Sequence, residues 1–459
     1  MLKDRTIDYA TATAGGLAWA LAAREVSAVE LFEEAVRVIE AKDGPINAVV
    51  VRDFDRAHGA ARAADAAIAR GETGPLLGVP MTVKDSHHVA GLPTTWGFAA
   101  GKDFIPKADS TGVARLKGAG AVILGKTNIP PNLGDWQAAN PVYGRTNNPH
   151  DVARSPGGSS GGGAAALAAG MVPLEFGSDI GGSIRVPAHF CGVYGHKPSY
   201  ELVPTTGHAP PPLEGPSFPI EFGVVGPLAR TAADLALALE VLAGPEGDEA
   251  VGFRLDLPPP RAAALKDFRV LMLTAHPSAG VDAEVLAPLE ALGRRQERVG
   301  ANVARQSDLV PDLAAAHDLY LAMLNTMLSR GRPQPRPPLD VIGFLNARDA
   351  IARSQAAWAA LFGAFDVVLA PPFGTVAFPH TDETDWTKRR LIVNGEPTPY
   401  GAQIAWPGIA TFPGLPATAA PIGKTPGGLP VGVQIIGPRY GDRTTIAFAG
   451  LVEREFAPE

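Results

Sequence analysis

Apolar residues near the start of the chain recur with the spacing of an amphipathic helix. Ser27 and Glu30 form a capping-box pattern, and the apolar positions that follow predict a helix ending near Gly44. The alanine-rich stretch 53–70 repeats this spacing and predicts a second helix. We therefore expect residues 1–70 to form a helical part.

Short apolar runs alternate with helical spacing in the remainder of the chain. Residues 112–118 predict a helix, and residues 164–169 predict a second, alanine-rich one. The runs that have the length and side chains of strands are 76–83, 121–124, 365–370 and 431–436. The first of these runs places Lys84 at the end of a buried strand. Because strands and helices alternate, the pattern predicts an α/β fold.

Composition and charge exclude several classes of function. The chain has 459 residues, of which 46% are hydrophobic, and a net charge of −7, which offers no broad attraction to nucleic acid or to an anionic membrane. No apolar run approaches the roughly 20 residues needed to span a bilayer. A single cysteine, Cys191, excludes an intrachain disulfide and a multi-cysteine metal site. We expect a soluble, cytoplasmic protein with a small-molecule substrate, no nucleic-acid or membrane partner and no metal.

Two glycine-rich clusters carry serines on either side of the predicted helix 164–169. Ser159 and Ser160 lie before it, and Ser183 lies after it. Glycines next to Ser183 allow successive backbone N–H groups to point into one concavity, which is how an oxyanion is stabilised. A serine also needs a base, and Lys84 could act as one if burial lowers its pKa. Taken singly, the glycine-serine cluster could be a flexible linker and Lys84 a solvated lysine.

The same residues carry a family resemblance. Residues 157–162 (Gly-Gly-Ser-Ser-Gly-Gly) and 177–187 (Gly-Ser-Asp-Ile-Gly-Gly-Ser-Ile-Arg-Val-Pro) resemble the defining signature of the amidase signature family. Residues 78–85 (Gly-Val-Pro-Met-Thr-Val-Lys-Asp) resemble its lysine motif. Weaker similarities extend through 147–149, 192–198, 226–231 and 430–434. The resemblance is weakest between about 245 and 360.

The resemblance implies a fold and a set of site residues. The fold would be a single large α/β/α domain with a central mixed sheet covered by helices. Ser183 would be the nucleophile, Ser159 the bridging serine after a cis peptide bond, and Lys84 the base. The backbone N–H groups of the oxyanion hole would be those of Ile180, Gly181, Gly182 and Ser183. The supporting residues would be Ser160, Asp179 and Arg185, and the substrate-binding residues would be Leu133, Gly134 and Trp136.

The resemblance further implies four parts within that domain. These are the helical part at 1–70, a signature core at 71–245, a variable helical segment at 246–360 and a C-terminal part at 361–459 that completes the sheet. No cofactor is expected, and the sequence leaves a homodimer open.

The function implied is hydrolysis of a linear amide, aryl or aliphatic, through an acyl-enzyme. Carbamate (urethane) or ester hydrolysis by the same triad is the closest alternative. Two further alternatives are a protein similar to the A subunit of glutamyl-tRNA amidotransferase and a non-catalytic binding subunit. The subunit that acts on charged tRNA usually has glutamine after the arginine of the signature, whereas this chain has Val186.

Residues 120–127 formally match the phosphate-binding P-loop pattern, ending in Gly125, Lys126 and Thr127. We interpret them instead as a strand, because the four inner residues are apolar and Pro130 and Pro131 interrupt the helix that should follow. ATP with magnesium is therefore expected to leave the melting temperature unchanged in a thermal-shift measurement. A rise in melting temperature with ATP concentration would contradict this interpretation.

Overall fold

The computed structural model describes residues 7–215, 220–329 and 337–456, and helices and strands alternate along most of them. The α-helices are α1 (Ala14–Ala22), α2 (Ala28–Ile46), α3 (Phe54–Ala69), α4 (Thr111–Gly118), α5 (Gly161–Ala168), α6 (Arg185–Cys191), α7 (Ala232–Leu242), α8 (Glu249–Gly252), α9 (Ala283–Arg298), α10 (Leu313–Leu328), α11 (Val341–Ala364), α12 (Ala405–Thr411) and α13 (Asp442–Glu455).

The strands are β1 (Val49–Arg52), β2 (Pro80–Lys84), β3 (Val122–Thr127), β4 (Ala139–Asn140), β5 (Gly144–Arg145), β6 (Leu174–Asp179), β7 (Tyr194–Lys197), β8 (Val224–Ala229), β9 (Arg269–Met272), β10 (Asn302–Ala304), β11 (Val367–Ala370), β12 (Arg390–Val393), β13 (Glu396–Pro399), β14 (Ala417–Lys424) and β15 (Pro430–Ile436).

Eleven of these strands form one mixed sheet in the order β1-β3-β2-β6-β8-β7-β14-β15-β11-β9-β10. The neighbours β3, β2 and β6 are parallel, as are β11, β9 and β10, while the pairs between β6 and β11 are antiparallel. Every residue of β2, β3, β6, β8, β11 and β15 is buried. Because side chains alternate between the two faces of a strand, helices must cover both faces of the sheet. This confirms the predicted α/β fold with a mixed central sheet.

Most predicted elements are present, with shifted ends. The capping box of Ser27 and Glu30 starts α2, and the helix predicted at 53–70 is α3. The strand predicted at 76–83 begins only at Pro80, because Leu76 and Gly78 donate backbone hydrogen bonds to Ala119 and Gly120 in a turn.

Two segments that we expected to be helical also contribute strands. The N-terminal part adds β1, which pairs with β3 at one end of the sheet, and the segment 246–360 adds β9 and β10. Each of these strands is short, so its sequence carries too few residues to reveal an alternating pattern. No helix in the described ranges is long and apolar enough to cross a membrane.

The first turn of α5 lies directly on neighbouring backbone. A Cβ atom added at Gly162 would lie 2.3 Å from Asn128 N and 2.9 Å from Ala48 O, so only glycine fits without a shift. This close approach fixes the start of α5, and therefore Ser159 and Ser160 just before it, against β3.

Gly162→Ala should destabilise the protein by about 1–3 kcal/mol, because the added methyl group must displace backbone. Gly59→Ala is the matched control, since Gly59 lies in α3 and a Cβ atom added there would have nothing within 4 Å. That change should stabilise the protein by about 0.5–1 kcal/mol through helix propensity. Urea unfolding of both variants measures the two effects, and equal effects would contradict the packing argument.

Candidate active site

Two parallel neighbours in the sheet bring the sequence motifs together. Lys84 is the last residue of β2, and β6, which pairs with β2 in parallel, leads into the loop that contains Ser183. The carboxyl ends of parallel strands meet at one edge of a sheet, which is where α/β proteins place their sites. Ser160 immediately precedes α5, and its N–H donates to the carbonyl of Ser183 at 3.1 Å. The two serine segments therefore lie side by side.

The amine of Lys84 lies among hydroxyl groups. Its Nζ atom is 2.7 Å from Ser159 Oγ, 2.9 Å from Ser160 Oγ and 2.9 Å from Ser178 Oγ. The carbonyl oxygen of Ser178 lies 3.3 Å away. Lys84, Ser159 and Ser160 are completely buried, so water does not compete for these contacts. As the resemblance implies, the peptide bond between Gly158 and Ser159 is cis.

Burial lowers the pKa of Lys84 from 10.5 to about 7, against the opposing attraction of Asp179 and Glu175. Desolvation is the larger effect. Asp179 is paired with Arg185 at 2.8 Å, and burial raises the pKa of Glu175 to about 7. At neutral pH a large fraction of Lys84 is therefore uncharged and able to accept a proton.

The Asp179–Arg185 ion pair holds the loop after β6. One carboxylate oxygen accepts the N–H of Gly182 at 2.9 Å, and the other accepts the N–H of Ile184 at 3.0 Å. Burial alone would raise the pKa of Asp179, but Arg185 and the hydrogen bond from Ile184 lower it to about 2. The guanidinium of Arg185 also donates to Pro407 O, Thr411 Oγ1 and Gln434 Oε1.

Ser183 differs from the other two hydroxyl-bearing positions. It is 6% exposed, whereas Ser159 and Ser160 are 0% exposed, so it alone of the three reaches solvent. Within the described ranges its hydroxyl has no hydrogen-bond partner, and no direct hydrogen bond joins it to Ser159. The Ser183 side chain is thus accessible to solvent, unlike those of Ser159 and Ser160, and its hydroxyl has no hydrogen bond among the described residues.

The loop after β6 contains three uncommitted amide groups. The N–H groups of Ile180, Gly181 and Ser183 have no hydrogen-bond acceptor in the part of the chain that the structure describes. The N–H of Gly182 was expected to join them, but it donates to Asp179 and is directed into the loop. The signature gives the order of these residues, and it does not reveal which way each peptide faces.

The predicted substrate residues have different environments. Trp136 is buried, and its indole N–H donates to the carbonyl of Gly181 at 2.9 Å, so it lies against the loop of Ser183. Leu133 is partly buried and Gly134 is exposed, both at the end of a short 3-10 helix. Only Trp136 of the three has a hydrogen bond to the serine loop among the described residues.

Sequence reasoning missed two contacts of the site. Ser178 touches Lys84, and the only signal in the sequence that could have indicated this contact is its place within the signature. Tyr320, on α10, donates its hydroxyl hydrogen to the carbonyl of Ile180 at 2.5 Å, and no pattern near it distinguishes it from a core tyrosine. Two histidines near the motifs have partners outside the lysine cluster: His87 lies 3.2 Å from Gly177 O, and His196 lies 3.1 Å from Asp442.

The structure confirms that the segment matching the P-loop pattern is a strand. Gly125, Lys126 and Thr127 lie in the buried strand β3, and the amine of Lys126 donates to Pro93 O and Thr94 Oγ1. The described residues contain no cluster of three or more metal-ligating side chains.

Comparisons with known proteins agree with this geometry. The family model named Amidase matches residues 30–332 and 323–446. The A subunit of glutamyl-tRNA(Gln) amidotransferase from Anaeromyxobacter sp. (strain K) is 33% identical, over 95% of this chain and 95% of the relative. The same subunit from Moorella thermoacetica is 32% identical, over 96% of each chain.

Solved structures give the same result. A bacterial aryl acylamidase of the amidase signature family superposes with a TM-score of 0.83 at 27% identity, covering 97% of this chain and 96% of that one. A structure described as a vestigial protein complex related to an s-triazine catabolic enzyme has a TM-score of 0.83 at 29% identity, covering 96% of this chain and 98% of that one. With the family model matching most of its length and relatives above 30% identity aligned along nearly all of it, the chain belongs to the amidase signature family of hydrolases.

Proposed function

We propose that the protein hydrolyses a carboxylic amide through an acyl-enzyme on Ser183, with Ser159 as the proton relay and Lys84 as the base. The observation that carries this proposal is the fully buried Lys84 amine 2.7 Å from Ser159 Oγ, with its pKa lowered to about 7. A serine hydroxyl needs a base to become a nucleophile, and an uncharged amine in contact with a hydroxyl can supply one.

The contacts of Lys84 fit the needs of an uncharged amine. Such an amine has two hydrogens and one lone pair. The oxygens of Ser160 and Ser178 can accept the two hydrogens, which leaves the lone pair for the hydroxyl hydrogen of Ser159. This orientation favours proton flow from Ser159 toward Lys84.

The proposed cycle uses this direction twice. The Ser183 hydroxyl, which has no hydrogen bond among the described residues, first turns toward Ser159. Lys84 then takes a proton from Ser159 while Ser159 takes one from Ser183, whose oxygen attacks the substrate carbonyl. The relay then returns the proton to the leaving amine as the carbon–nitrogen bond breaks. Water attacks the resulting ester by the same route, releasing the acid and restoring Ser183. Every proton transfer uses groups of this chain.

The negative charge formed on the carbonyl oxygen needs hydrogen-bond donors. We assign this task to the N–H groups of Ile180, Gly181 and Ser183, because the N–H of Gly182 is bonded to Asp179. Each such donor typically contributes on the order of 3 kcal/mol to stabilising the transition state.

For the substrate we propose an aryl or aliphatic amide bound near Leu133, Gly134 and Trp136. Trp136 lies in an aromatic cluster with Phe373, Trp386 and Tyr400, with ring centroids 4.9–5.0 Å from its own. Its indole N–H reaches the loop of Ser183, so an apolar acyl group attached there would meet this cluster. Carbamates and esters remain alternative substrates, because the same serine and donors can act on their carbonyl groups.

A second candidate is a role like that of the glutamyl-tRNA(Gln) amidotransferase A subunit, which the 33% identity to that relative favours. Val186 weighs against it, because it is apolar and fully buried where that subunit usually has glutamine. A hydrolysis screen over anilides, primary amides, carbamates, p-nitrophenyl esters and L-glutamine separates these candidates. Turnover of glutamine alone would favour the amidotransferase role.

A fluorophosphonate probe tests the nucleophile against the alternative of a non-catalytic subunit. We expect labelling of the wild-type protein at Ser183 and none in Ser183→Ala, with the modified peptide identified by mass spectrometry. Ser307→Ala, in a loop where its hydroxyl only accepts the N–H of Leu309, should label like the wild type. Absence of labelling in folded wild-type protein would favour the non-catalytic subunit.

The pH dependence tests the base. Because burial lowers the pKa of Lys84, the active form is the deprotonated one, so kcat/KM should rise with pH and level off above an apparent pKa of about 7. Lys84→Met should lose about 1,000-fold or more in kcat with little change in KM. Lys42→Met is the control, since that amine donates only to Ala169 O. Neutral-pH activity retained by Lys84→Met would remove Lys84 from the mechanism.

A further inference from the structure

Two side chains hold two successive peptide units of the loop before Ser183. The hydroxyl of Tyr320 donates to the carbonyl of Ile180 at 2.5 Å, and the indole N–H of Trp136 donates to the carbonyl of Gly181 at 2.9 Å. A peptide unit is planar, and in its trans form the C=O and N–H point in opposite directions. Fixing a carbonyl therefore also fixes the direction of the N–H in the same unit.

The two peptide units differ in whether their N–H groups have an acceptor. The Gly181 carbonyl shares its unit with the N–H of Gly182, which donates to Asp179, so Trp136 and Asp179 hold that unit from both sides. The Ile180 carbonyl shares its unit with the N–H of Gly181, which has no acceptor within the described ranges. Tyr320 is thus the only group found there that holds the unit whose N–H is uncommitted.

We infer that Tyr320 is a positioning residue for the oxyanion hole, holding the Gly181 N–H toward the carbonyl oxygen of the substrate. This inference rests on the proposed acyl-enzyme function. It adds a group from α10, in the segment where the family resemblance is weakest. A hydrogen bond to a carbonyl also polarises its peptide unit, which strengthens the N–H as a donor.

The surroundings of Tyr320 suit this task. The side chain is completely buried, and its ring packs edge-on against Phe222 at 5.4 Å between centroids. On another side lies Gly408 of α12, where an added Cβ would be 3.1 Å from the tyrosine ring. Burial raises the pKa of Tyr320, so its hydroxyl stays protonated and remains a donor throughout the working pH range.

Tyr320→Phe tests the inference by removing only the hydroxyl. The probe is the fluorophosphonate, whose reaction places negative charge on an oxygen in the same position as the substrate oxyanion. The maximal labelling rate should fall about 10- to 100-fold, while the probe concentration giving half that rate changes less than about twofold. The midpoint of the labelling rate against pH should stay at the wild-type value, because Lys84 is untouched.

Tyr9→Phe is the matched control. Tyr9 is also buried, and its hydroxyl also donates to one backbone carbonyl, that of Met171 at 3.1 Å, in a different part of the core. Both variants lose one buried hydrogen bond and should shift the melting temperature by similar amounts. Only Tyr320→Phe should slow labelling.

Gly408→Ala provides an independent variant should Tyr320→Phe not fold. The added methyl group pushes the Tyr320 ring by a few tenths of an ångström within a helix that favours alanine, and labelling should slow in the same way. Labelling of Tyr320→Phe, or of Gly408→Ala if that is the folded variant, within about twofold of the wild-type rate overturns the inference. So does equal slowing in Tyr9→Phe, or a change confined to the half-maximal concentration. Wild-type protein that is not labelled at all would instead overturn the proposed function.

Discussion

The buried ion pair between Asp179 and Arg185 is the interaction on which the site depends. Asp179 ends β6, and Arg185 starts α6, so the pair closes the loop that contains Ser183. Both charges are removed from water, and the guanidinium and carboxylate satisfy one another together with backbone amides, a carbonyl and two polar side chains. Removal of one partner would leave an unpaired buried charge, at a cost of about 3–5 kcal/mol. The loop geometry is therefore tied to the stability of the core.

Burial sets the charge of the proposed base, which lies near the same pair. A lysine next to an unbalanced carboxylate would stay protonated, because the negative charge stabilises the ammonium form. Here desolvation outweighs the attraction of Asp179, which is paired with Arg185, and of Glu175, whose pKa burial raises to about 7. The same buried region thus contains both the ion pair that shapes the loop and an amine of which a large fraction is uncharged at neutral pH.

Sequence reasoning reached the fold class and brought Lys84 together with Ser159 and Ser160, because these depend on short contiguous motifs, but it missed Ser178. Within the second signature segment, Gly177, Ser178 and Asp179 continue β6. Glycine and serine have low strand propensity, and pairing with β8 overrides it. Nor could the sequence indicate that the Gly182 N–H is directed at Asp179, because peptide orientation depends on both flanking residues.

Tyr320 shows a different limit of sequence reasoning. It lies 140 residues from Ile180 in the chain, and its neighbours on α10 have the ordinary pattern of a helix that packs on one side. A sequence motif consists of residues that lie close together in the chain. A hydrogen bond from a remote helix to a main-chain carbonyl leaves no such pattern, because any carbonyl can accept it.

The order of strands in the sheet also has a consequence for synthesis on the ribosome. The hairpin of β14 and β15 lies between β7 and β11 and joins the two halves of the sheet, yet it follows all the other strands of that sheet in the sequence. Until that hairpin emerges, the outer edge of β7 has no partner strand, and Arg185 lacks its acceptor on Gln434. A nascent chain that already contains Lys84, Ser159 and Ser183 therefore still lacks this contact of the serine loop, which becomes available only after Gln434 has been synthesised.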